Sequence, residues 1–311
     1  MSTGADRRLH WRTDRTATTE IDERPQTMET ITTPTGITLA FDRYVGGDRG
    51  TVILVGGAFS YREFPKMVEL AQKLADEYRL TVINYDRRGR GDSSDSPGVY
   101  DVENEIDDIA ALVEATGGSA ALFGWSSGAG LALLAAASGR VPGITKVIAF
   151  EPPFVVNHEN FVPQENLHLT LHRLIAEDRR GEVVKFYMTH AMGMPRPFVA
   201  VMRFTPFWKS LKATAPAAAH DWAVMGDYMR GEPLRAANWS GITVPTLVIS
   251  GGKSGDLLRT AARAITAVLP NARHVELAKL SHNPNIALLT PPAGEFLTGA
   301  SSRIAAPGDP A

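Results

Sequence analysis

The sequence predicts an α/β chain: a doubly wound, mostly parallel sheet with one inserted helical lid. Three observations carry that prediction. Short, fully apolar runs of strand length alternate with helical periodicity, as in strands buried on both faces. Between 154 and 240 strand signals vanish, and helical segments broken by Pro and Gly replace them. An apolar run starting at Ala120 meets Gly124-Trp125-Ser126-Ser127-Gly128 and passes into an Ala/Leu-rich helix, a strand–turn–helix with one serine at its apex.

The elements follow in order. Thr30 to Thr33 and Ile37 to Tyr44 flank Pro34-Thr35-Gly36 and read as a β-hairpin. Thr51 to Val55 is a buried strand ending at Gly56-Gly57, and Phe64 to Tyr78 is helical. Leu80 to Tyr85 is the next strand, followed by Asp86-Arg87-Arg88-Gly89-Arg90-Gly91-Asp92-Ser93. Val102 to Thr116 reads as an amphipathic helix with its acids on the outer face. Lys146 to Phe150 is a strand ending at Glu151-Pro152-Pro153. The insert carries helical segments at Leu167 to Arg179, Glu182 to Met192 and Ala217 to Met229. Beyond it come a strand at Pro245 to Ser250, a helix at Leu257 to Val268 and a last strand at Arg273 to Leu277. Ser281-His282 follows, then a Pro-interrupted helix from Asn285 to Leu297.

Composition narrows the function. A chain of 311 residues with 44% hydrophobic content suits one large domain with an inserted subdomain. The expected division is an extension over 1–27, a core over 28–153 and 241–298, the insert over 154–240, and a tail over 299–311. The extension and tail read as disordered, and Met28 is a natural alternative start. The extension lacks the apolar centre of a signal peptide. The apolar stretch 120–137 is broken by the turn at Ser126, so it reads as strand plus helix rather than a membrane span, and the expected location is cytoplasmic. A net charge of −2 offers no basic face for nucleic acid. The absence of cysteine excludes disulfides, thiolate catalysis and cysteine metal sites.

Ser126 is the candidate nucleophile. A serine hydroxyl needs a base, an acid to orient the base, and N–H donors for the developing oxyanion. His282 is the candidate base, since it follows the last strand on a loop at the sheet's C-terminal edge. The other histidines (His10, His158, His168, His172, His190, His220, His274) fall in the extension, the insert or a strand. The candidate oxyanion donors are the N–H groups of Ser127 and of Ala58, with Phe59 a second option for the latter. Taken alone, Gly56-Gly57 would be a simple turn.

These ordered motifs resemble the α/β-hydrolase family from about Thr30 to Leu297. The resemblance rests on Gly56-Gly57-Ala58, the Asp86 to Ser93 loop, the serine turn, the lid-like insert and the late His282. Asp86 and Arg88 read as structural. The resemblance implies a Ser–His–acid triad, but the usual acid register falls on Ser254 (Gly251-Gly252-Lys253-Ser254). Two carboxylates can substitute. Glu151 ends the strand after the nucleophile helix, where zearalenone hydrolase-type lactonases of the family take their acid. Asp256 lies two residues past Ser254, but a helix N-cap explains it equally well. Glu151 is preferred, although its plain alternative is a salt-bridged carboxylate at a strand end.

The expected activity is hydrolysis of a hydrophobic carboxylic ester or lactone by an acyl-enzyme, with no cofactor and no metal. The partner is a hydrophobic small molecule, because the insert holds many aromatics and methionines (Phe154, Met188, Phe207, Trp222 and Met225 among them), some of which should line a pocket. The oligomeric state stays open, a homodimer included. Alternatives are a slow-turnover or non-catalytic small-molecule receptor on the same scaffold, a cofactor-free perhydrolase and a thioesterase. A nicotinamide site is discounted: the glycines at 124, 128 and 130 follow the wrong strand, and no Tyr-x3-Lys occurs. His168 and His172 lack a third metal ligand at fixed spacing. Ser126 in place of aspartate argues against epoxide hydrolase and dehalogenase chemistry.

Overall fold

A computed structural model describes residues 28–96, 98–159 and 161–299. The expectations for 1–27 and for the tail beyond 299 lie outside the described residues. Eight strands form one sheet: β1 (Met28–Thr32), β2 (Thr38–Val45), β3 (Thr51–Val55), β4 (Thr81–Tyr85), β5 (Ala120–Trp125), β6 (Ile144–Phe150), β7 (Thr246–Gly251) and β8 (Ala272–Leu277). Their order is β1-β2-β4-β3-β5-β6-β7-β8. β1 and β2 pair antiparallel, as does β2 with β4, and every other pairing is parallel. The predicted class is therefore observed.

Ten α-helices accompany the described sheet: α1 (Pro65–Tyr78), α2 (Val102–Ala115), α3 (Ser127–Ala137), α4 (Leu167–Ala176), α5 (Arg180–Phe186), α6 (Arg196–Met202), α7 (Phe207–Thr214), α8 (Ala218–Met225), α9 (Asp256–Val268) and α10 (Ile286–Thr298). α4 to α8 fall between β6 and β7. Two of them, α6 and α7, escape the sequence pattern. Each is short and opens at a proline (Pro195, Pro206), a residue tolerated at a helix start. The expected helix over Glu182 to Met192 is α5 continued by a π-helical turn at Tyr187–Ala191.

The strands bury both faces because both are apolar. On β3, Ile53 and Val55 join one core layer, and Val52 and Leu54 join the other. Each such side chain contributes about 1.5–3 kcal/mol by leaving water. α10 forms despite Pro291 and Pro292 because Ile286, Leu289, Ala293 and Leu297 are buried beneath it. Tertiary burial there outweighs the hydrogen bonds that the prolines remove.

The Val102–Ala115 helix departs from expectation. Glu103 is exposed and Asp107 half-buried, and both pair with Arg140. Glu105 and Asp108 are buried, against Arg87 and Arg88. The arginines of the 86–93 loop turn inward from the end of β4, and these acids neutralise them. Asp86 fixes that loop by accepting the N–H groups of Arg62 (2.7 Å) and Asp92 (3.0 Å). No helix among the described residues is long and apolar enough to cross a membrane.

Candidate active site

Three non-glycine residues with left-handed φ stand just past neighbouring strands. They are Phe59 (60°) after β3, Ser126 (57°) after β5 and Glu151 (49°) after β6. Such backbone costs about 1–3 kcal/mol per residue and persists where surrounding structure enforces it. All three lie at the C-terminal edge of the parallel strands, the edge where α/β sheets bind ligands.

The turn at Ser126 is enforced by close packing. Ser126 N–H donates to Phe150 O (2.9 Å), and Ser126 O accepts Ala129 N–H (2.8 Å). A Cβ on Gly57 would lie 2.7 Å from Trp125 O and 2.9 Å from Ser126 Cβ. A Cβ on Gly128 would lie 2.1 Å from Val55 O. Only glycine permits the β3 loop, the serine turn and α3 to meet this closely. Ser126 thus caps α3, whose first N–H groups have no intrahelical acceptors. Ser127 supplies one of them, and the Gly57-Ala58 loop runs alongside Ser126.

His282 and Glu151 meet. His282 Nδ1 lies 2.7 Å from Glu151 Oε2, and Glu151 Oε1 accepts Gly251 N–H at 2.7 Å. Glu151 is 0% exposed, whereas the His282 side chain is 33% exposed. The Phe150 ring stacks on the imidazole, with centroids 6.3 Å apart. The loops after β7 and β8 lock together through Gly252 N–H to Leu277 O and Lys253 N–H to Leu280 O, each 2.9 Å. Lys66 holds the far side of the His282 loop at Pro284 O (2.7 Å). An Nδ1 held by a buried carboxylate fixes the ring's orientation and leaves Nε2 to accept a proton. Neither Ser126 Oγ nor His282 Nε2 has a hydrogen-bond partner among the described residues.

The other carboxylate stands apart. Asp256 opens α9 one residue after its N-cap, Gly255, with its side chain 76% exposed and paired with Arg259. It makes no capping bond, so its place is the helix's first turn rather than the N-cap. Ser254, at the usual acid register, is buried with its hydroxyl unpartnered among the described residues. His274, in β8, pairs with Ser250 Oγ (2.8 Å). His168 and His172 lie on α4, and no group of metal-ligating side chains occurs among the described residues.

A second buried cluster adjoins Ser127, the next residue. Asp221, on α8, accepts from Arg87 Nη1 (2.8 Å), Arg90 Nη2 (2.7 Å) and Ser127 Oγ (2.8 Å). Arg87 also forks onto Glu105, through Nε (2.7 Å) and Nη2 (2.6 Å). Burial raises the carboxyl pKa of Asp221, but Arg90 and Arg87 outweigh it and hold the group below its ordinary value. Sequence reasoning missed Asp221 and Arg90. The available signals were an arginine run after a buried strand and a lone acid inside an apolar helix.

With this geometry, the chain aligns to the model of the alpha/beta hydrolase family over residues 52–293. The chain belongs to the alpha/beta hydrolase family. A solved alpha/beta hydrolase from Sphaerobacter thermophilus DSM 20745 is 42% identical, with TM-score 0.78, covering 86% of this chain and 99% of that one. More distant hydrolase structures share the fold. A thermophilic esterase from Thermogutta terrifontis is 23% identical (TM-score 0.60; 88% and 98% covered). The enol-lactonase from Burkholderia xenovorans LB400 is 18% identical (TM-score 0.60; 87% and 97% covered). No curated protein matches the chain.

The aromatics of this hydrolase's insert divide in two. Phe154, Met188, Trp222 and Met225 pack into the core, whereas Phe198 and Phe204 face outward. Phe207 of the insert meets Phe64 (6.2 Å between centroids), which in turn meets Trp125 (6.4 Å), the residue before Ser126. This aromatic chain is therefore built jointly by the core and the insert.

Proposed function

We propose that this alpha/beta hydrolase cleaves a hydrophobic carboxylic ester or lactone through an acyl-enzyme on Ser126. The observation that carries the reading is the buried Glu151 carboxylate, 2.7 Å from His282 Nδ1. In this reading Ser126 Oγ adds to the substrate carbonyl while its proton passes to His282 Nε2. Ser127 and Ala58 N–H donate to the resulting oxyanion. Collapse breaks the C–O bond, and His282 returns the proton to the departing alcohol oxygen. Water, deprotonated by the same imidazole, then releases the acid and restores Ser126. Glu151 holds the ring and stabilises the imidazolium at each stage without taking its proton.

The open Ser126–His282 pair is compatible with this reading, because catalytic hydrogen bonds often tighten only in the substrate complex. An apolar acyl preference is in keeping with the Trp125–Phe64–Phe207 contacts, which begin at the residue before Ser126. Asp256 is an unsuitable acid because its charge points into water and is already paired.

Turnover of p-nitrophenyl butyrate tests the reading. The chain should hydrolyse it, and Ser126→Ala should lower kcat by at least about a thousandfold, the scale of loss when a triad member is removed. Turnover unchanged in Ser126→Ala would refute it. Thermal stabilisation by such ligands without turnover would instead favour a binding protein on this scaffold.

A further inference from the structure

We propose that Asp221 and Arg90 are positioning residues for the oxyanion site, coupling it to the seating of the helical insert. The proposal rests on reading Ser126 as the nucleophile. It starts from the planarity of the peptide bond: in a trans peptide the C=O of one residue and the N–H of the next point oppositely and turn together. Arg90 Nη1 donates to Gly57 O (2.5 Å) and to Ser60 O (3.3 Å). Arg87 Nη1 donates to Gly56 O (3.2 Å). Holding Gly57 O from one side fixes the direction of Ala58 N–H on the other. Gly57 has no side chain to steady that peptide, so the guanidinium does it.

The second donor is tied to the same group. Ser127 Oγ donates to Asp221 Oδ1, the oxygen that also accepts Arg87, while Asp221 Oδ2 accepts Arg90. One carboxylate thus holds Ser127 directly and the Gly57–Ala58 peptide through Arg90. Asp221 comes from α8, within the long helical connection between β6 and β7. α8 seats on α3 through Met225, whose Sδ would stand 2.3 Å from a Cβ on Gly130. Both donors are thus braced by a carboxylate that the insert supplies. An oxyanion site assembled this way is preorganised by charge in a water-poor setting, where electrostatic stabilisation is largest.

Kinetics per active site separate positioning from mere support of the fold. Wild type, Ser127→Ala, Arg90→Lys and Asp221→Asn would be titrated with a fluorophosphonate to count reactive Ser126. kcat and KM for p-nitrophenyl butyrate would then be measured, with inhibition by a trifluoromethyl ketone that adds to Ser126 as a tetrahedral oxyanion. Loss of an entire oxyanion donor lowers kcat by about 10²–10³, so misaimed donors should lower it by about 10- to 100-fold per titrated site in Arg90→Lys and Asp221→Asn. Ser127→Ala keeps both ion pairs and should lower it by about 3- to 10-fold, with KM within about twofold. Ketone affinity should weaken by the same factors. Wild-type kcat per site and ketone affinity in all folded variants would overturn the proposal, and Ser127→Ala decides alone if Asp221→Asn fails to fold. A wild type that does not label at Ser126 fails the nucleophile reading, and this proposal falls with it. A labelled wild type with unmoved variants fails the proposal alone.

Discussion

Two buried carboxylates flank Ser126, and their surroundings differ. Asp221 faces two guanidinium groups and a hydroxyl, so its charge is fully met before any substrate arrives. Glu151 faces one backbone N–H and one imidazole. Among the described residues it has no ion-pair partner other than His282. A carboxylate already neutralised by arginines can hold geometry but has little attraction left for a new charge. One whose side-chain partner is an imidazole alone keeps its attraction for a charge that develops there during a reaction. On the proposed mechanism the difference separates a brace from the triad acid, although both groups are buried.

The largest expected effect breaks the responsive side. Glu151→Gln should lower kcat by about 10³–10⁴, by analogy with neutralising a triad acid, while the chain stays folded. Steady-state kinetics with a melting curve on the same sample check both halves. The static side should fail first in stability. Asp221→Ala strands two buried arginines and should cost about 3–5 kcal/mol of stability, read from the urea midpoint. Unchanged stability in Asp221→Ala, or lost stability with unchanged activity in Glu151→Gln, would dissolve the contrast.

Acid sharpens the same comparison. Burial pushes the Glu105 carboxyl up, but the charge and hydrogen bonds of Arg87 prevail and hold it at about 2. Its folded pKa therefore lies below the ordinary 4.5, as that of Asp221 lies below its own ordinary value. The stability they contribute is complete above the unfolded pKa and is lost as pH falls through that value toward about 2. Melting temperature should drop steeply below about pH 4.5, and Glu105→Gln should flatten that drop. His220, beside Asp221, gives the smallest effect. Burial lowers its pKa, so the folded state favours neutral imidazole and stability declines as pH falls below the ordinary 6.5. His220→Phe keeps the stack on Tyr100 and should remove that upper part of the pH dependence, checked by melting curves between pH 7 and 5.

How much of this was legible in the sequence follows from which interactions are local. The strand–turn–helix at Ser126 is spelled by adjacent residues, and the alternation of apolar runs spells the parallel sheet. Glu151 is a candidate from sequence because Ser254 occupies the usual acid register and Glu151 sits at a strand end on the same edge. Glu105 and Asp108 illustrate the limit. A helical period places them on a polar face but does not distinguish water from an arginine as the facing partner. Asp221 lies 134 residues from Arg87, and no local pattern joins such a pair. The helices opening at Pro195 and Pro206 are too short for a periodicity to emerge.

The most direct measurement of the central claim is the rate of fluorophosphonate labelling, with the adduct mapped by peptide mass spectrometry, in wild type, Glu151→Gln and Asp256→Asn. The expected result is a single adduct on Ser126, formed at the same rate in wild type and Asp256→Asn and at least about 100-fold more slowly in Glu151→Gln, as the proposed role of Glu151 requires. Equal rates in Glu151→Gln and wild type, or an adduct on any other residue, would contradict it.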